Sequence, residues 1–112
     1  MQTTTTATPT ETTRPAALVP TGSPLFSLGQ LCATPGALEV LEQSDQQPIH
    51  FVARHVSGDW SEMDAEDQQT NREALECGAR VLSSYTTKNG QKLWIITEAD
   101  RSVTTLLLPS EY

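Results

Sequence analysis

The sequence predicts an α+β domain of about three short helices followed by a three-stranded antiparallel β-meander, behind a disordered N-terminal tail. Three observations carry that prediction. Apolar residues recur at helical spacing between Pro35 and Cys77 and then at a period of two from Arg80 onward. Asn89-Gly90 stands between two of the alternating runs, and that dipeptide is the strongest short-range hairpin signal, for a two-residue turn with both residues at positive φ. Residues 1–23 are rich in Thr and Pro and almost free of large apolar side chains, so they lack the surface to offset their ordering entropy.

The elements follow in order. Residues 1–23 read as the tail, whose only large apolar pair for docking on a partner is Leu18-Val19, and residues 24–112 read as one small domain. Leu25 to Ala33 is short and apolar, an edge strand or an extended segment packed on the core. Thr34-Pro35 is an N-cap followed by proline at the first helical position, so helix one runs from Pro35 to about Gln43. Leu38 and Leu41 share its inner face with Ala37, while Glu39 and Glu42 face water. Pro48 opens helix two, whose stripe is Ile49, Val52, Ala53 and Val56, closed by Ser57-Gly58. His50, Arg54 and His55 fall off that stripe.

Asp59 to Met63 is a loop. Ser61 with Asp64, or Asp64 with Asp67, caps helix three over Ala65 to Cys77, which Gly78 ends. Its apolar content is poor, so it is a surface helix touching the core near its C-terminal end. Arg80–Tyr85, Lys92–Thr97 and Val103–Leu108 are the strands. Leu93, Ile95, Val103 and Leu107 point one way. Trp94, Ile96, Leu106 and Leu108 point the other, which leaves one sheet face for helix two and one for helix one or a second subunit of a homodimer.

Composition bounds the function. The chain has 112 residues, fourteen acidic against seven Lys and Arg, and a net charge of −7. That disfavours direct nucleic-acid binding, which counterion release at a positive surface drives, and it disfavours an anionic membrane. No apolar run reaches the roughly 18 residues of a membrane span, and the start is neither a secretory signal nor an Arg-rich transit peptide. A cytoplasmic protein is the expectation. Cys32 and Cys77 then read as two buried thiols, with a Cys32–Cys77 bridge as the alternative, and with no CxxC or Cys/His cluster neither a metal nor a cofactor is expected.

The stretch Arg54-His55-Val56-Ser57-Gly58-Asp59-Trp60, then Asp64-Ala65-Glu66-Asp67, then Leu93-Trp94-Ile95-Ile96-Thr97-Glu98-Ala99-Asp100-Arg101-Ser102, resembles a family of small uncharacterised proteins carried on bacterial plasmids and other mobile elements. Some members are labelled a modification subunit of a type I restriction enzyme. This chain has neither the length nor the Asn-Pro-Pro-Tyr-type motif of such a methyltransferase. The resemblance covers about residues 25 to 112, implies a mobile-element setting, and brings no catalytic residue. In arrangement alone, a histidine-bearing helix followed by an antiparallel sheet is similar to barnase, colicin and RelE-like ribonuclease toxins.

Two sets of residues could carry function. Asp59, Glu62, Asp64, Glu66, Asp67, Glu73 and Glu76 oppose only Arg72 along one loop and helix. Such a face suits a protein partner with a basic surface. Asp59, Trp60, Glu62, Asp64, Glu66 and Asp67 are therefore the candidate partner-binding residues, with Trp60 either an interface anchor or a lid over the core. In a mobile-element setting, the partner would be a host defence or nucleic-acid-binding protein that this module inhibits or regulates without enzymatic activity. The alternative is a ribonuclease toxin with His55 as general acid/base, Arg54 or Arg101 stabilising the phosphorane, and a threonine such as Thr105 orienting the phosphate.

Overall fold

The computed structural model describes residues 24–112, so the tail expected over residues 1–23, with its Leu18-Val19 pair, lies outside the described residues. The chain runs β1 (Gln30–Ala33), α1 (Pro35–Gln43), α2 (Pro48–Val56), α3 (Ala65–Cys77), β2 (Val81–Thr86), β3 (Lys92–Thr97) and β4 (Val103–Leu107), and closes in a 3-10 turn over Pro109–Glu111. The α+β class holds, but the sheet is a four-stranded mixed one ordered β1-β4-β3-β2. Strands β2, β3 and β4 form the expected antiparallel meander, and β1 adds to it parallel to β4.

Gly29 makes that fourth pairing possible. Its φ is +64°, and a Cβ there would lie 2.2 Å from the Ser102 carbonyl oxygen. Only glycine lets the two backbones approach so closely. The Gln30 N–H then donates to Ser102 O at 2.9 Å and the Thr34 N–H to Leu106 O at 3.0 Å. Four residues are too few for periodicity to tell a paired strand from an extended segment.

Helix α1 starts as its caps dictate, with the Thr34 hydroxyl accepting from the Ala37 N–H at 3.1 Å and Pro35 in the first turn. Its buried face is Ala37, Val40 and Leu41, and Leu38 is 50% exposed, so the expected Leu38–Leu41 face is corrected by a turn of the helix about its axis. Ala37, fully buried, brings the helix close to the sheet and carries Val40 and Leu41 inward at i+3 and i+4.

The stripe of α2 is corrected in the same sense. Ile49 is 41% exposed, while Phe51, Val52, Ala53, His55 and Val56 are buried. Phe51 carries the largest apolar side chain of the helix and packs on Tyr85, ring centroids 5.8 Å apart. Burying it outweighs burying Ile49 and draws His55, one turn later, into the interior. Helix α3 is capped by Asp64, which accepts from the Asp67 N–H at 2.8 Å, and ends at Gly78 with φ +76°. Only Asn71 and Ala74 of it are buried, as its weak stripe requires.

Cross-strand partners share a face, which corrects the grouping of β4. Ile95 pairs with Leu106, and Trp94 with Leu107. The face that meets α1 and α2 thus holds Tyr85, Leu93, Ile95 and Leu106, in one core with Ala37, Val40, Leu41, Phe51 and Val52. The opposite face carries Leu82, Ser84, Trp94, Ile96, Thr105 and Leu107, partly covered by Tyr112, whose ring is 5.7 Å from Trp94.

The Asn89-Gly90 turn is a three-residue loop, not the two-residue type. Gly90 N–H donates to Thr87 O and Thr87 N–H to Gln91 O, both at 2.8 Å, and of the pair only Gly90 has positive φ, +81°. Asn89 Nδ2 donates to Gln43 O and Lys88 N–H to Gln46 Oε1, and these contacts to the α1–α2 connection select the longer loop. Finally, both cysteines are exposed. Cys32 sits on an edge strand and Cys77 in the last turn of a surface helix, so the expected burial of both thiols is corrected.

Candidate functional site

His55 is completely buried, with both ring nitrogens in hydrogen bonds. Ser83 Oγ is 2.6 Å from Nδ1 and Thr97 Oγ1 is 2.8 Å from Nε2. The chain extends at both ends. Trp60 Nε1 donates to Ser83 Oγ at 3.0 Å, Thr97 and Thr104 hydroxyls lie 2.7 Å apart, and Thr104 Oγ1 donates to the Leu28 carbonyl at 2.7 Å.

The carbonyl end fixes the protons as far as Nε2, and the charge of the ring fixes the rest. An indole N–H can only donate and a carbonyl can only accept. Thr104 spends its hydrogen on Leu28, so Thr97 donates to Thr104 and must accept from His55 Nε2–H. Burial keeps the imidazole neutral, so with Nε2 protonated its Nδ1 accepts from Ser83, which accepts from Trp60. The imidazole is neutral with its proton on Nε2, and no group in the chain is left unsatisfied. Burial, and then the charge of Arg101, push its pKa down to about 3.

Arg54 and Arg101 are also committed. Arg54 Nε lies 2.7 Å from Asp59 Oδ2, its Nη2 lies 3.1 Å from Glu62 Oε2, and its guanidinium stacks 4.4 Å from the Tyr85 ring centroid. The Asp59 carboxyl is held below its ordinary range against the cost of its burial, by Arg54 and then Ser61. Arg101, at φ +61°, donates to the carbonyls of Ala79, Glu98 and Ala74, and so neutralises the C-terminal end of α3. Thr105 lies on the opposite sheet face from His55. The four residues of the ribonuclease reading are not brought to one surface.

The acidic residues divide. Asp59 and Glu62 answer Arg54, in the only ion pairs among the described residues. Glu62 also accepts from the Thr86 N–H at 2.8 Å. Asp64 is the cap of α3. Trp60 is buried with its N–H on Ser83, a lid over the core and not an exposed anchor. Glu66 and Asp67 remain exposed in the first turn of α3.

Beside them the structure opens a groove of about 670 Å³ between α3 and the sheet. Met63, Leu82 and Trp94 give its lining an apolar floor, Glu62, Asp64 and Asp67 an acidic wall, and Arg80 a cation. Asn71 also lines the groove. Its side-chain amide donates to Leu82 O at 2.7 Å and accepts from the Leu82 N–H at 3.2 Å, tying α3 to the outer edge of β2. Sequence reasoning found the acidic wall but not the floor, because Met63, Leu82 and Trp94 come from a loop and two strands. The alternation of Leu82, Ser84 and Thr86 in β2 was the available signal for an outward face.

Among the described residues, no three His, Cys, Asp or Glu side chains converge as metal ligands, and no helix is long and apolar enough to cross a membrane. No family model matches the chain, and no curated protein or solved structure does.

Proposed function

We propose that this chain is a small, acidic, non-enzymatic binding module of a mobile genetic element, acting in the cytoplasm. Its groove between α3 and the sheet receives a segment of a partner protein that carries a cation beside an apolar anchor. The observation that carries the reading is the groove itself, an apolar floor of Met63, Leu82 and Trp94 under the carboxylates of Asp64 and Asp67. An aliphatic or aromatic side chain fills the floor, and a neighbouring Lys or Arg meets the wall. Nucleic-acid-binding and host-defence proteins expose such segments, and a partner of that kind fits the mobile-element setting that the sequence resemblance implies. The ribonuclease reading draws no comparable support, since a general acid/base needs access to its substrate and His55 has none.

Amide shift mapping with short peptides that combine Lys or Arg with one Leu, Phe or Trp tests the proposal. Shifts confined to Met63, Asp67, Leu82, Ser84 and Trp94, weakened by salt and by Asp67→Lys, are expected. Scattered shifts, or binding indifferent to Asp67→Lys, would refute it. Asp67 contributes only its backbone N–H to the cap, so the substitution leaves the fold intact.

A further inference from the structure

We infer that the free edge of β1 is a self-association surface, on which a second copy of this chain pairs antiparallel about a two-fold axis through Cys32. The two edges of the sheet differ. At β2 the outward N–H and C=O of Leu82 are taken by the Asn71 amide, and the outward N–H of Thr86 by the Glu62 carboxylate. Side chains thus block that edge at both of its ends and leave only Ser84 between them, so it offers no continuous row to another strand.

At β1 nothing comparable is found among the described residues. Gln30 and Thr34 point their N–H groups at β4. By alternation Cys32 does the same, and the N–H and C=O of Leu31 and Ala33 point away from the sheet. Leu31 is 49% exposed and Ile49, across an apolar groove of about 380 Å³, is 41% exposed. The groove is lined by Leu31, Cys32, Ala33, Pro48, Ile49 and Val52, with Gln47, Leu106 and no carboxylate or cation.

Charge selects the occupant. The chain carries −7, so two copies repel wherever their acidic faces meet. Gln30-Leu31-Cys32-Ala33 has no charge, no proline and no bulge, so it is a place where like copies can touch without that cost. A basic partner would find nothing here to recognise.

The geometry then fixes the register. Outward groups on Leu31 and Ala33 make Leu31–Ala33′ and Ala33–Leu31′ the hydrogen-bonded pairs, with four main-chain bonds in all. Cys32 faces Cys32′ as the non-hydrogen-bonded pair, with Cα atoms about 4.5 Å apart. The two sheets become one, ordered β2-β3-β4-β1-β1′-β4′-β3′-β2′. Four main-chain bonds between two four-residue strands, made against a like net charge, put the dimer in the weak class, in the micromolar range or above.

Sedimentation of the full chain from about 1 μM to about 1 mM tests this. The 12.2 kDa mass should double across that range, and added salt should tighten the dimer by screening the repulsion. Leu31→Lys, at an exposed position that leaves the core untouched, should weaken association about tenfold. A short bis-maleimide should join two chains through Cys32 in the Cys77→Ser variant far faster than through Cys77 in the Cys32→Ser variant. A monomer throughout, association indifferent to Leu31→Lys, or equal cross-linking through either cysteine would overturn the proposal. So would slow amide exchange at Leu31 and Ala33 at the lowest concentration, which would mean that residues of the same chain already cover the edge.

Discussion

Acid should destabilise this protein well above the carboxylate range, and His55 should be the cause. In the folded chain the imidazole is neutral between Ser83 and Thr97, with its pKa pushed down to about 3 by burial and then by Arg101. In the unfolded chain it returns to the ordinary 6.5. As pH falls, the unfolded state takes up the proton first, so stability is full above about pH 6.5 and is lost between 6.5 and 3. The loss is about 2 kcal/mol between pH 7.5 and pH 5, with a ceiling of about 5 kcal/mol near pH 3. Asp59 titrates in a lower window, because its carboxyl is held below the ordinary range and its contribution is lost only as pH falls past that range. Equilibrium denaturation by urea at pH 7.5 and pH 5, for the wild type and for His55→Gln, isolates the effect. The wild type should lose about 2 kcal/mol more than the variant over that interval. Equal pH dependence in the two proteins, or an imidazole that titrates near 6.5 by NMR, would refute the proton assignment of the whole Trp60-to-Leu28 chain.

Three further outcomes follow from backbone and edge geometry. Gly90 has φ +81° and open space where a Cβ would stand, so Gly90→Val should cost more than about 1 kcal/mol through the dihedral alone, and Gly90→Asn clearly less, both read by thermal melts. Asn71→Ala strands the Leu82 N–H and C=O at once and should cost about 1–3 kcal/mol, with faster amide exchange at Leu82 as its mark. Gly29→Ala forces a Cβ onto the Ser102 carbonyl, and should detach β1 from β4 and deprotect the Gln30 and Thr34 amides while the β2–β3 amides stay slow.

What the sequence disclosed depended on the range over which each signal acts. Caps, prolines and terminal glycines are local, and Thr34, Pro35, Pro48, Asp64 and Gly78 all stand where they were expected. Strands β2, β3 and β4 were legible within a residue at each end because alternation needs only the strand itself. The orientation of a helix on a sheet is not local. Leu38 and Ile49 look like core residues until Val40 and Phe51 compete with them for the same space. The β1–β4 pairing spans more than seventy residues and rests on a glycine contact that no period reveals. The hairpin loop changed type because the end of α1 and the α1–α2 connection reach it through Gln43 and Gln46.

The same distinction separates the two candidate sites. His55 drew attention as a residue type, a histidine near arginines in a chain with few titratable bases. Its chemistry is spent inside the fold, where Trp60, Ser83, Thr97 and Thr104 accept or supply every proton it could exchange. The hydroxyls on β2, β3 and β4 that hold it were visible only as polar residues at positions where alternation demands apolar ones. The acidic face drew attention as a charge run, which in most proteins is a solvated surface. Here three of its seven carboxylates are structural, Asp59 and Glu62 holding Arg54 and Asp64 capping a helix. Of the other four, only Asp67 borders the hollow with the apolar floor, beside Glu62 and Asp64. A solvated helix face needs no such floor, and Trp94 left half-buried in the groove that Asp67 also lines is what makes Asp67→Lys the substitution on which the binding proposal stands or falls.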